Sequence, residues 1–440
     1  MSCIVSQSRR IRVCLDGASV GWLTWARRAP WGVSLFVALG LATVGCVGTP
    51  ERGDCVALGL PASYTGEFGA NGFNFERAVQ LALDRINKAG GVAGKKVCSI
   101  ASDTRSGALE GEQTARDLVA TGPAGLMIGP DILDIAVQID SDVAARGSLE
   151  FVPGITADGA FAGSPTSRLE LGPHAQNMGC ALAKRMYDDG RRTIAIAYDS
   201  SLVSKSLAES MPDLLTKYER PMSPATVALF PLVPGQSSSD FAAAIAASNP
   251  DAVAMVLSPS LAATILRSWT LSTTVAWYFG PNALTSVLLA NAPPGLLEGA
   301  VGIGPSFANK NDAKALGQEF QDRFDDVPFA LSYYYYDAVA LAALAIETAY
   351  VQNGSQLPTP DQVYSVVRAV ASGPGQKIGW NKLDDGLGLI RSGQGIDYDG
   401  ISGALTVGAK GTIDQSSAQY IFDKVTSGTI AFYAYDNCPY

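Results

Sequence analysis

One histidine, His174, stands among 440 residues. A Ser-His-Asp triad would have to use it, and no Gly-x-Ser-x-Gly elbow is present to supply a nucleophile. It sits between Pro173 and the start of a helical pattern, where capping or solvent exposure is the expected role. Metal-ligand spacings such as Cys-x-x-Cys or His-x-x-x-His are missing, so no metal is expected. There is no Walker A stretch, and neither "GAVGIG" nor "GLGLIRSGQG" follows a strand and opens a helix as a dinucleotide site requires. Together these absences argue against an enzyme and against any cofactor. Charge is scarce too, at 17% of residues with a formal net charge of −9. The first 45 residues carry five arginines and one aspartate, which leaves 27 − 40 = −13 for the remainder. Such an acidic body without a basic stripe excludes a nucleic-acid partner. No repeat at a period of roughly 20–50 residues appears, which excludes a solenoid.

What is present is apolar. Hydrophobic residues make up 47% of the chain, enough for a large core and, at this length, two domains. Positive charge in "WARRAP" precedes the 15-residue apolar run "WGVSLFVALGLATVG", which ends in small residues before Cys46. That run is too short for a comfortable membrane span and suits a signal peptide over residues 1–46. "LATVGC" resembles a bacterial lipobox, with Thr43 where an aliphatic residue is usual, so Cys46 is the expected lipidation site and plain secretion the alternative. Of the seven cysteines, Cys3 and Cys14 fall in the discarded segment. Cys55, Cys98, Cys180 and Cys438 remain and permit three pairings. Cys55 and Cys98 open consecutive strands of one βαβ unit, about 5 Å apart. That favours their pairing and, by remainder, Cys180 with Cys438; four free thiols are the alternative.

The stretch "VALGLPASYTGEFGANGFNFERAVQLALDRINKAGGVAGKKV" is that unit. "CVALGL" is continuously apolar, as a parallel strand covered on both faces should be. Phe75, Ala78, Val79, Ala82, Leu83 and Ile86 then fall at helical spacing, and Gly90 is placed to end the helix with positive φ. Helices at 109–121 and 132–145, with strands at 125–128 and 148–152, continue the alternation. It restarts after "RLELGPH" with helices at 174–188, 202–218, 240–247 and 260–270 between apolar strands. "LLEGAVGIGPSF" reads as a return crossing, followed by helices 312–325, 332–352 and 360–372. Segment 373–400 is rich in glycine, and its pattern is ambiguous. "GALTVGAKGTID", "AQYIFDKV" and "TIAFYAY" read as short antiparallel strands with turns at Gly411 and Ser427-Gly428. The pattern predicts an α/β fold of two doubly wound, Rossmann-like lobes.

The opening stretch, followed in order by "SDTRS", "MIGP", "FVPGITAD", "TIAIAYDSS", "DFAAAIAASNPDAVAM", "YYYDAVALAALAIE" and "IDYDGISGALTVGAKGTID", resembles the type I periplasmic solute-binding proteins of the branched-chain amino-acid-binding family. The resemblance covers about residues 54–440. It implies a three-strand hinge between the lobes, with lobe one over 54–171 plus 304–398 and lobe two over 172–303 plus 399–440. A ligand would be clamped in the cleft, where open α/β sheets bind at the carboxyl ends of their strands. Those ends are 63–66, 102–104, 130–133 and 154–157 in lobe one, and 198–201, Ser258 and 280–282 in lobe two.

In the amino-acid binders, lobe one holds the ligand carboxylate and an acid of lobe two holds its ammonium. Thr156 falls where the carboxylate-binding threonine is expected, with the Ile155 amide beside it; a loop-capping threonine is the plainer reading. Asp131 and Ile132 replace the usual serine after "IGP", Asn282 replaces the ammonium-binding acid, and Val203 replaces a loop tyrosine. A ligand carboxylate would be repelled by Asp131, so these changes favour a cationic or amide-bearing molecule over an α-amino acid. Tyr64 is placed to stack on a ligand or to cover the first helix, and Tyr333, at the start of "YYYYD", to face the cleft. The resemblance implies an exported, lipid-anchored monomer that delivers a small polar ligand, an amino acid, amide or similar, to an ABC permease. A ligand sensor or scaffold coupled to a signalling partner is the alternative.

Overall fold

The computed structural model describes residues 55–121, 125–162, 166–217, 225–269, 275–307, 310–416 and 418–438. Cys46 and the segment that carries it lie outside the described residues. Lobe one begins with β1 (Cys55–Ala62), α1 (Gly69–Lys88), β2 (Lys96–Asp103), α2 (Ala108–Thr121), β3 (Leu126–Ile128), α3 (Leu133–Ala145), β4 (Leu149–Val152) and β5 (Arg168–Glu170). All five strands pair in parallel, in the order β2-β1-β3-β4-β5. Both faces of this sheet are covered, which is why Leu58 and Leu60 of β1 and all of β4 are buried. The six apolar positions predicted for α1 are all buried. Each large one contributes about 1.5–3 kcal/mol by leaving water. Gly90 ends the helix at φ 96°, where a side chain would be strained.

Lobe two runs through α4 (Ala175–Asp188), β6 (Thr193–Tyr198), α5 (Leu202–Lys217), β7 (Thr226–Pro231), α6 (Ser238–Ala247), β8 (Ala252–Val256), α7 (Pro259–Arg267), β9 (Ala276–Phe279), α8 (Ser286–Asn291) and β10 (Val301–Pro305). The chain then returns to lobe one with α9 (Lys310–Phe324), α10 (Ala330–Gln352), α11 (Pro360–Ser372), β11 (Gln376–Gly379), α12 (Leu383–Arg391) and β12 (Ile396–Asp399), and closes on β13 (Gln419–Thr426) and β14 (Thr429–Asn437). The second sheet has the order β14-β13-β10-β9-β8-β6-β7. It is parallel except where β13 meets β10 and β14 meets β13.

Three details differ from the sequence reading. Val301–Pro305, expected as a bare crossing, is a full strand that pairs with β9 and β13 before the chain leaves the lobe. The glycine-rich 373–400 folds as a small βαβ unit, β11-α12-β12. "GALTVGAKGTID" makes only isolated bridges, such as Val407 with Ile413. Its turn is as expected, with Gly411 at φ 77°.

The lobes are joined by three crossings, after β5, after β10 and between β12 and β13. Backbone bonds tie the first to the third, with the Ile413 amide donating to the Glu170 carbonyl at 3.1 Å and the Glu170 amide to the Gly411 carbonyl at 2.7 Å. The third crossing is also pinned to α10. The buried Asp337 carboxylate accepts from the Tyr398 hydroxyl at 2.7 Å, the amides of Ile401 and Ser402 at 3.1 and 2.7 Å, and the Ser402 hydroxyl at 2.5 Å. Helix α10 is apolar all round and accordingly central, with nearly every residue from Leu331 to Ala349 buried. Disulfides join Cys55 to Cys98 and Cys180 to Cys438, the pairings expected from strand adjacency and remainder. No helix among the described residues is long and apolar enough to cross a membrane.

Candidate ligand-binding site

The strand ends of the two lobes face each other across a cleft that holds a half-open cavity of about 200 Å³. From lobe one come Phe68 and Phe75 at the start of α1, Asp131 to Asp134 after β3, and Ile155 after β4. From lobe two come Asp199, Ser201 and Val203 after β6, Leu257 and Ser258 after β8, and Asn282 after β9. Neighbouring parallel strands end side by side, so residues far apart in the chain meet here. A larger cavity, about 360 Å³, lies in the hinge between Pro173, Ser306 and the third crossing. It touches none of the loops that follow β1, β3, β4, β6, β8 and β9, so the smaller one is the candidate site.

The opening loop turns out to support this wall from behind. The Ser63 amide donates to Asp131 Oδ2 at 3.1 Å, and the amides of Tyr64 and Thr65 donate to Asp103 Oδ1 at 2.9 and 3.1 Å. Gly72 of α1 packs so tightly under the loop that a Cβ would meet the Ser63 carbonyl oxygen at 2.0 Å. Burial pushes the Asp131 carboxyl up, against the hydrogen bonds from Ser63 that hold it down. Asp134 is likewise pushed up by burial, with the Asp199 charge adding to it and the Leu202 amide opposing. Asp199 Oδ1 accepts from the Ser201 amide at 3.0 Å and its hydroxyl at 2.7 Å.

Among the described residues, two backbone amides donate across the cleft. The Leu202 amide, first in α5, donates to Asp134 Oδ2 at 3.2 Å and Oδ1 at 3.4 Å. The Ser260 amide, in the first turn of α7, donates to Glu67 Oε1 at 2.7 Å. Both carboxylates therefore satisfy unpaired helix-start donors of the opposite lobe and hold the cleft shut.

Of the expected site residues, Asp131, Ile132, Ile155 and Asn282 line the cavity, as does Val203. Asn282 holds φ 61°, which turns the chain at the end of β9. Tyr64, Thr156 and Tyr333 do not line it. Tyr64 packs edge-on against Phe73 with ring centroids 5.3 Å apart, covering the first helix. Thr156 is fully buried, and its amide is spent on the Pro173 carbonyl at 2.9 Å. Tyr333 is buried between α9 and α10, where its hydroxyl donates to the Ala313 carbonyl at 3.2 Å; burial pushes its pKa up to about 12. His174 neither caps with its side chain nor faces solvent, because it is buried with Nδ1 2.7 Å from Asp158 Oδ1. Sequence reasoning missed Asp134 and Phe75 as cleft residues, although Asp134 lies only three positions from Asp131. Among the described residues no three His, Cys, Asp or Glu side chains gather as a metal site.

The model of the family described as periplasmic binding protein matches residues 56–386. The chain belongs to that family. It superposes on a leucine binding protein from Thermotoga maritima with a TM-score of 0.70 at 18% identity, covering 87% of this chain and 99% of that one. The substrate-binding protein of a branched-chain amino acid transporter from Streptococcus pneumoniae, solved with isoleucine, gives 0.67 at 16% identity, covering 87% and 99%. Likeness at such identity shows the fold alone. Among curated relatives, the chemotactic signal transduction system substrate-binding protein BasB of Halobacterium salinarum is 26% identical over 361 residues, covering 80% of this chain and 82% of the relative. Members of the family are solute-binding proteins.

Proposed function

We propose that this protein captures a small polar solute between its lobes outside the cytoplasm and delivers it to an ABC importer, without catalysis. The observation that carries the reading is the cavity lined by the strand ends of both lobes, with carboxylates that reach across the cleft beside it. Ligand and closure reinforce each other, because a solute that touches both walls binds only the closed form and shifts the population toward it. Cys46 would carry the lipid that keeps the protein at the membrane, and the chain would act as a monomer. Asp131, Ile132, Ile155 and Asn282 are the proposed contacts on the ligand, with Thr156 holding the first crossing in register behind them. Tryptophan-fluorescence titration across a metabolite library tests this: one solute should saturate at one per chain, and no saturation by any solute would refute it.

A second use of the same site is supported by the chemotactic relative, which matches most of this chain. In that reading the closed form is handed to a signalling partner rather than to a permease. Permease and ATPase genes beside this one would favour transport, and a sensor gene would favour signalling.

A further inference from the structure

We propose that the cleft selects a small organic cation with a short apolar body and rejects solutes that bear a carboxylate. This deepens the solute-capture reading and rests on it.

The first support is the balance of charge. Asp131, Asp134 and Asp199 reach the cavity, and no Lys, Arg or His lines it among the described residues. Closing a cleft over carboxylates removes water from them, and a ligand ammonium is the group that compensates that loss. Each has acceptor capacity left. Asp199 Oδ1 is taken by Ser201, while Oδ2 accepts nothing from the described residues. Asp131 takes the Ser63 amide on Oδ2 at 3.1 Å and the Thr104 hydroxyl on Oδ1 at 3.4 Å, and a carboxylate oxygen can accept more than one bond.

The second support is independent of charge and concerns donors. A ligand carboxylate needs uncommitted donors, and the lobe-two helix-start amides that flank the cleft are already committed within the protein. Helix α5 gives its Leu202 amide to Asp134 and α7 its Ser260 amide to Glu67. In lobe one the Ser63 amide goes to Asp131, those of Tyr64 and Thr65 go to Asp103, and that of Thr156 goes to Pro173. An entering carboxylate would find only neutral side-chain donors among the described residues of the lining, Asn71, Ser204, Ser258 and Asn282, beside three aspartates and no cation. An ammonium needs only acceptors, which the cavity has in excess. Phe75, Ile132, Ile155, Val203, Leu257 and Leu331 give the lining an apolar surface that fits a hydrocarbon body.

Three probes that share one carbon skeleton separate the possibilities: isoamylamine is leucine without its carboxylate, 4-methylvalerate is leucine without its ammonium, and leucine has both. Isothermal titration of the chain from residue 47 onward should show one isoamylamine per chain, leucine at least tenfold weaker, and no heat from 4-methylvalerate. Asp199→Asn should weaken isoamylamine at least fivefold and leucine by less, because relief of the repulsion on its carboxylate offsets part of the loss at its ammonium; circular dichroism checks that this variant is folded. Leucine or 4-methylvalerate binding as tightly as the amine would overturn the proposal, as would no binding of the amine or an unchanged amine affinity in the variant. If a library solute that carries a carboxylate or no positive charge saturates instead, selectivity for cations is refuted while solute capture stands. If no solute of any class saturates, both fall.

Discussion

Asp134 is the residue on which cleft closure depends most directly. Its carboxylate lies at 3.2 and 3.4 Å from the Leu202 amide of the opposite lobe, at the first residue of α5. Removing an acceptor from a helix-start amide costs about 1 kcal/mol, and the carboxylate charge at the positive end of the helix is part of that. Asp134→Ala should therefore lower the closed-to-open ratio about fivefold, since about 1.4 kcal/mol is a factor of ten. Asp134→Asn keeps an acceptor and loses the charge, so it should fall between. Glu67→Ala breaks the companion bond to Ser260, but Glu67 is exposed, so its effect should be smaller and should vanish at high salt. Dyes on Leu109→Cys and Val287→Cys, on exposed positions of α2 and α8, report the interlobe distance by single-molecule energy transfer. Apparent ligand affinity should fall in step with the closed population, by no more than the same factor. An unchanged distance distribution in Asp134→Ala would show that the cross-cleft bonds do not hold the lobes together.

Asp337 gives a pH signature: its folded pKa is raised by burial from 3.8 to about 6, so the stability gained on protonation is complete below 3.8 and lost as pH rises through 6. The urea midpoint should therefore rise as pH falls from 7 toward 5, and the slope of that rise should be smaller in Asp337→Asn; equal slopes would refute the assignment. Gly172 in the first crossing leaves no room for a Cβ, which would meet the Gly154 carbonyl oxygen at 1.6 Å. Gly172→Ala should cost about 3 kcal/mol in chemical denaturation, whereas Gly388→Ala, in open space within α12, should stabilise by up to about 1 kcal/mol.

Periodicity carried much of the fold. Helical spacing from Phe75 to Ile86 and the unbroken apolar runs of β1 and β8 are local signals; the two strands stand within two residues of the expected bounds, while α1 begins at Gly69, well before its first predicted apolar position. Segment 373–400 was illegible because α12 is short and holds two glycines, so its burial comes from packing on α10 rather than from propensity. The rule that ligands sit at strand carboxyl ends led to Asp131, Ile132, Ile155 and Asn282. It led only to segments, and Thr156 shows the limit, because its amide faces the neighbouring crossing. Tyr333 failed for another reason: four consecutive tyrosines on a helix point to four sides, and on a helix buried all round each side is core. The latch was invisible for want of any local pattern, since Asp134 and Leu202 meet only once both sheets exist.

Native mass spectrometry of the chain from residue 47 onward, purified from its own host, tests solute capture most directly. The account predicts a small molecule bound one to one and lost on denaturation, with a mass that matches a compound retained by the closed cleft. A bare protein mass, joined by the absence of any thermal shift across amines, amides and amino acids, would contradict it.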